Sequence, residues 1–286
     1  MEPTTWMPVR KQEPFTETWL SQAVSGGKQT LQGKRLESIL GSFDPISLEE
    51  MDAVALLNRI DTKFVLQFEQ LLQALSVLQV GYRVLSVAGQ RINHYRTLYF
   101  DTCDFDLYKM HVNEHADRFK VRSREYVDSQ QAFLEVKHRT RKDRTVKSRI
   151  PTGTPAVWID AAARRWLKDV FPYDSSALEP KLWNTFTRIT LVNRALCERV
   201  TLDVDLTFFN LNRCTRLDGI AVAEVKQASR DCPSDFMAQM HALKVRPQGF
   251  SKYCIGASLL YENVKKNSLK AKLLWLEKNC LGVQHE

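Results

Sequence analysis

No stretch of the 286 residues approaches the roughly 20 consecutive apolar positions that cross a bilayer as a helix. Any membrane role would therefore need a partner protein. The six cysteines (Cys103, Cys197, Cys214, Cys232, Cys254, Cys280) include no C-x-x-C pair, so their spacing lends a zinc site no support. With no secretory signal at the start, they are expected to be reduced thiols in a cytoplasmic protein. Gly27-Lys28 lacks the earlier glycine of a phosphate-binding loop and is followed by Gln29, which excludes a P-loop there. Acidic residues are outnumbered: 33 Asp and Glu face 41 Lys and Arg, a net charge of +8. That balance favours an anionic partner (phosphate, nucleic acid or a membrane surface) without choosing among them. Hydrophobic content of 44% is ordinary for a globular chain.

Residues 1–45 mix Thr, Gln, Gly and Pro without sustained periodicity and are expected to form a flexible arm. Ser47-x-x-Glu50 reads as a capping box opening a helix through Met51. Residues 59–66 read as a strand and residues 68–78 as a helix. From residue 95 the pattern turns to period two, predicting strands over 95–101, 118–126, 133–139 and 145–150. Residues 158–170 and 178–192 read as helices, the second interrupted by Pro180, with Trp158, Trp166 and Trp183 in the core. Strand character returns over 199–208 and 220–226, and the chain ends in helix from Ser251, with a helical tail over 266–286. No linker divides residues 46–265, so one α+β domain is the simplest organisation.

The alternation carries the charges. Arg118, Lys120, Arg122 and Arg124 occupy every second position of one predicted strand and so project from one face. Lys137 and Arg139, Lys147 and Arg149, Arg199, and Lys226 repeat the pattern, with Glu135, Asp203, Asp205 and Glu224 in phase among them. A single charged strand face is ordinary solvated surface. Ten cations in phase against four carboxylates on several strands argue for something negative opposite them. A sheet closed into a barrel would gather them around a lumen, and phosphate chains suit Arg and Lys there. The carboxylates could hold a divalent cation that bridges phosphate oxygens.

Tyr99-Phe-Asp-Thr with Leu107-Tyr108, Lys120-Val-Arg-Ser-Arg-Glu-Tyr126 and Phe133-Leu-Glu-Val-Lys137 resemble the VTC domain, the polyphosphate polymerase branch of the triphosphate tunnel metalloenzymes. The resemblance continues through Val146-Lys-Ser-Arg149, Arg199-Val-Thr-Leu-Asp-Val-Asp205, Val222-Ala-Glu-Val-Lys226 and Phe250-Ser-Lys-Tyr253, covering residues 55–262 in order. It implies an eight-stranded antiparallel β-barrel tunnel with helices outside. It also implies transfer of the ATP γ-phosphate to a growing polyphosphate chain with Mn²⁺ or Mg²⁺. On the matching positions, Lys63 would contact nucleotide phosphates. Arg122, Arg124, Lys137, Lys147, Arg188 and Arg199 would line the tunnel, Glu224 would ligate the metal, and Lys252 would add a phosphate contact. Arg149 and Lys226 join this set through the alternation. His111 stands where eukaryotic members carry arginine, making contact there weaker or pH-sensitive. The resemblance further implies a stand-alone catalytic domain of bacterial type, with a membrane protein among its potential partners.

Phosphoryl transfer asks the protein mainly for alignment and charge stabilisation. Glu224 is thus assigned to position the metal, and the cations to clamp oxygens. His138, in phase with Leu134 and Val136, reads as a packed or surface histidine. Lys63 could instead be an ion pair with Asp61, and Asp203 and Asp205 could neutralise neighbouring arginines. Two rivals stand beside the polymerase: a tripolyphosphatase or nucleoside triphosphatase on the same fold, and a non-catalytic polyanion-binding module. Nucleic-acid binding is disfavoured because the interleaved residues are mostly aliphatic, Phe119 and Phe133 excepted.

Overall fold

The computed structural model describes residues 31–52, 59–142, 144–195, 197–229 and 232–280. Its strands are β1 (Asp44–Ile46), β2 (Ile60–Gln67), β3 (Tyr82–Leu85), β4 (Asn93–Asp101), β5 (Arg118–Tyr126) and β6 (Gln131–Arg139). They continue with β7 (Thr145–Pro151), β8 (Glu179–Asn193), β9 (Glu198–Phe209), β10 (Cys214–Leu217) and β11 (Ile220–Gln227). All eleven form one sheet, whose main path runs β2-β11-β9-β8-β4-β5-β6-β7. Along that path every pairing is antiparallel; β1 alone pairs in parallel, with β3. The fold is therefore an antiparallel, sheet-rich α+β fold. Among the described residues the sheet has eleven strands rather than the expected eight and is not closed, since β2 and β7 do not pair.

The period-two segments become strands because each buries one face. Val121, Leu134 and Val136 on β5 and β6 pack outward with Leu98 and Phe100 of β4 against helix Ala161–Val170. On the other half of the sheet, Val200, Leu202, Val204, Ala223 and Val225 pack outward against helices Phe68–Leu78 and Asp235–Ala242. Helix Leu31–Gly41 joins that cluster through Leu36 and Leu40, so part of the stretch expected to be an arm is folded. Ser47 and Glu50 form the expected capping box, at 2.9 and 3.1 Å, at the start of helix Leu48–Asp52.

The expected helix over 178–192 is instead β8, the 15-residue strand at the centre of the sheet. Both of its faces are buried: Leu182 and Phe186 face the inner cluster, while Trp183, Ile189 and Leu191 face the outer ones. A strand covered on both sides loses apolar alternation, and its spacing then imitates a helix. Pro180 sits near its start, opposite Phe100, where the β4 register shifts. Trp183 is core as expected, whereas Trp158 is 60% exposed and precedes its helix.

One end of the sheet's inner surface is filled by helix Lys252–Leu260, whose Tyr253, Cys254 and Ala257 join Tyr99, Leu182, Phe186 and Phe208 in an apolar cluster. Gly256 makes the contact close: a Cβ there would meet the Phe208 ring at 2.5 Å. Helix Lys270–Asn279 covers this cluster with Leu276. No helix among the described residues is long and apolar enough to cross a membrane. A disulfide joins Cys197 to Cys232, correcting the expectation of six reduced thiols; Cys103, Cys254 and Cys280 remain thiols.

Candidate functional site

The rest of the inner surface carries the charges. Cross-strand register places Arg122 opposite Glu135, Lys120 opposite Lys137, and Lys137 opposite Lys147. At the other end of the path, Glu224 lies between Lys63 and Thr201, and Lys226 between Asp61 and Arg199. The two ends approach each other because the sheet curls. Lys147 on β7 is repelled by Arg59 and Lys226, and Lys137 on β6 by Lys63, although these pairs sit on opposite margins of the sheet. A trough results, with Arg122, Lys137 and Arg199 all on its wall.

Glu224 is the acidic centre of the β2–β11 wall. Its carboxylate meets Lys226 Nζ at 2.7 Å and Lys63 Nζ at 3.4 Å. Burial opposes its charge, yet those two ammonium groups hold it well below the usual carboxylate range, so it is ionised. Lys63 also donates to Phe250 O at 3.3 Å, while Asp61 pairs with Arg59 instead. The alternative Lys63–Asp61 pair is thus replaced by Lys63–Glu224.

Asp203 forms a second centre. Arg188 grips it with Nε at 2.6 Å and Nη2 at 2.8 Å, and Lys252 Nζ reaches the same carboxylate. Burial would raise Asp203, but Arg188 and Lys252 hold it well below its ordinary value. Asp205 does not share this site. A bulge opposite Thr185 and Thr187 puts it in the left-handed region at φ 54° and turns it outward, exposed. Glu135 is the third carboxylate, bonded to Arg122 at 2.7 Å; Arg124 reaches Thr97 at 3.3 Å.

For two lysines the compensation is only at longer range, from Glu224. Among the described residues, Lys137 and Lys147 make neither a hydrogen bond nor an ion pair. Burial, with the neighbouring cations adding to it, lowers Lys137 to about 7 and Lys147 to about 8. Lys120, hydrogen-bonded to Ser251 Oγ at 2.8 Å, is lowered by burial to about 8, and so is Lys252. Lys120, Lys137 and Lys147 thus stand beside one another on a wall with an excess of positive charge. Arg149 and Arg199 complete the wall, Arg149 lying over the Phe133 ring at 4.5 Å.

His111 narrows one expectation. Burial first, then Lys120 and Arg118, lower it to about 2, and its buried Nε2 has no partner. It is held neutral, which favours the weaker of the two contacts expected there over the pH-sensitive one. His138 is a packed histidine, stacked on Phe119 at 4.0 Å. Sequence reasoning did not assign Lys120, Glu135 or the aromatic rings to the site. Lys120 and Glu135 carried the signal of the alternation, whereas Phe186 was hidden by the helical reading of β8.

No cluster of three or more His, Cys, Asp and Glu side chains among the described residues could hold a metal unaided. An ionised glutamate beside a cation-lined wall is a donor set that a hard divalent cation uses when substrate oxygens complete its shell. The residues therefore fit a cation that arrives with its substrate.

A cation-rich trough around a few ionised carboxylates thus lies on one face of an antiparallel sheet. The VTC domain family model matches residues 58–261, and the chain belongs to that family, within the triphosphate tunnel metalloenzyme superfamily, whose members use divalent metal ions. None of the curated proteins matches the chain. Among solved structures, a candidate adenylate cyclase from Vibrio parahaemolyticus is 15% identical, with 70% of this chain and 97% of that chain covered and a TM-score of 0.42. Another, from Bacillus halodurans, is 15% identical over 68% and 93% of the chains, with a TM-score of 0.45. A candidate adenylyl cyclase from Hippeastrum, described as having a dominant triphosphatase activity, is 13% identical over 72% and 97%, with a TM-score of 0.43.

Proposed function

We propose that this protein is an ATP-dependent polyphosphate polymerase that transfers the ATP γ-phosphate to the end of an inorganic polyphosphate chain within the cation-lined trough. The observation that carries the reading is the excess of lysines and arginines over carboxylates on the inner wall, with Lys137 and Lys147 facing ionised Glu224 across the curled sheet. Lys63 and Lys226 bind the nucleotide phosphates beside Glu224, while Arg122, Arg124, Lys137, Lys147 and Arg199 hold the oxygens of donor and acceptor. Arg188 and Lys252, anchored on Asp203, add positive charge on the β8 side, and Arg149 contacts phosphate at the β7 edge. A terminal phosphate oxygen of the acceptor attacks the γ-phosphorus. A new P–O–P bond forms, the bond from the γ-phosphorus to the β–γ bridging oxygen breaks, and ADP leaves. The attacking oxygen is already anionic, so no general base is needed, and His111, held neutral, is not assigned that role. Mn²⁺ or Mg²⁺ bound by Glu224 and the phosphates would neutralise charge on the triphosphate.

Closure of the sheet into a tunnel around bound phosphate belongs to the same proposal, as do a cytoplasmic location and a membrane protein that receives the product. Incubation with ATP and Mn²⁺, followed by gel analysis of products, tests it. Long phosphate chains are expected. Orthophosphate alone would replace the polymerase with a triphosphatase on the same trough, and binding without metal-dependent turnover would leave a polyanion-binding module.

A further inference from the structure

The inner surface is not uniformly charged. Tyr95 on β4 lies directly across from Tyr126 on β5, ring centroids 5.0 Å apart, and stacks on Phe186 of β8 at 5.1 Å. Tyr126 meets the edge of Phe133 at 5.9 Å, and the Arg149 guanidinium lies over Phe133. Tyr126 and Phe133 flank the β5–β6 hairpin turn, whereas Phe186 lies nearer the helix Lys252–Leu260, with Lys252 Nζ 4.3 Å from its ring centroid. Phe186 and Tyr95 take part in the inner apolar cluster. Tyr126 and Phe133 belong to none of the four apolar clusters and remain partly exposed.

Both rings are half-buried: Tyr126 packs on Tyr95 and on the edge of Phe133, and Phe133 lies under Arg149, so part of each ring is left exposed beside a wall of arginines. Phe133 is the cross-strand neighbour of Arg124, and such neighbours have Cβ atoms about 5 Å apart, the scale of one sugar ring. A triphosphate gripped by Arg122 and Arg124 can thus extend its nucleoside onto the rings. A π-face with a guanidinium beside it accepts any nucleobase by stacking and reads no base edge.

We infer that Tyr126 and Phe133, with Arg149, form a stacking seat for the nucleobase of a nucleoside triphosphate at the mouth of the trough, and so distinguish a nucleotide donor from bare polyphosphate. This rests on the nucleotide-using reading of the site proposed above. The seat gives affinity for a base while leaving its identity weakly discriminated, so ATP and GTP bind alike.

The test compares a non-hydrolysable ATP analogue with tripolyphosphate by calorimetry, for the native chain and for Phe133→Ala, Tyr126→Ala and Phe133→Tyr. Each alanine variant is expected to weaken the analogue about 10- to 100-fold, the order that base–aromatic stacking supplies, while tripolyphosphate stays within about twofold. Phe133→Tyr, which keeps the π-face, retains native binding of both. Thermal melting identifies any variant that does not fold, and tripolyphosphate binding by the remaining ones still decides the matter. Equal weakening of both ligands would overturn the inference, because the rings would then only prop Arg149. An unweakened analogue would overturn it too. Product analysis fails separately: orthophosphate as the sole product removes the polymerase while leaving the binding comparison intact.

Discussion

Binding of a polyanion should draw protons out of solution, and the lysines set how many. Lys137 titrates at about 7, and Lys120, Lys147 and Lys252 at about 8. At pH 8 Lys137 is therefore about one-tenth charged and the other three about half charged. Phosphate oxygens placed among them favour the charged form and return all four toward the ordinary lysine value of 10.5. Full charging would take up about two protons on the lysines at pH 8, from which the proton that tripolyphosphate itself loses on binding subtracts. Titration calorimetry in buffers of different ionisation enthalpy reads this number as a slope, and Lys137→Met should lower it by about one. The sign for stability follows from the same shifts. Between about 7 and 10 the unfolded chain binds more protons than the empty native protein, so native stability rises with pH across that window. A binding enthalpy independent of buffer at pH 8 would refute the reasoning: either the lysines are not depressed or the anion does not meet them.

Other outcomes follow from single contacts. Glu224→Gln removes the ionised donor between Lys63 and Lys226 and should lower metal-dependent turnover about 10²- to 10³-fold, read as kcat at saturating ATP. Arg188→Ala leaves buried Asp203 with Lys252 alone and should cost about 3 kcal/mol in urea unfolding, near the low end for breaking a buried pair. Reduction of Cys197–Cys232, or Cys197→Ser, should cost up to about 4 kcal/mol, because the bond closes a loop with a sequence separation of 35; unfolding with and without dithiothreitol checks it.

Alternation made most of the wall legible. Residues 118–126 were delimited to the residue, because β5 has one charged face and one apolar face, so the period-two signal is undiluted. Glu224 and Lys226 were in phase for the same reason. The signal failed where that asymmetry ends. β8 is buried on both faces, so its periodicity was lost, and with it the stacking surface around Phe186. Asp205 kept the alternation in sequence but not in space, since one bulged residue reverses the direction of a side chain. Pairing of Cys197 with Cys232, and the unpaired margins of the sheet, depend on contacts between distant segments that no local pattern encodes.

Those margins have a mechanical consequence. Among the described residues no ladder of backbone bonds fastens β2 to β7, and Arg59 and Lys147 repel one another across the margins of the sheet. On the proposed reading, a polyphosphate lying between the two edges would offset that repulsion and draw them inward. The substrate would then act as the fastener, and slower amide exchange along both edge strands on filling would be its trace.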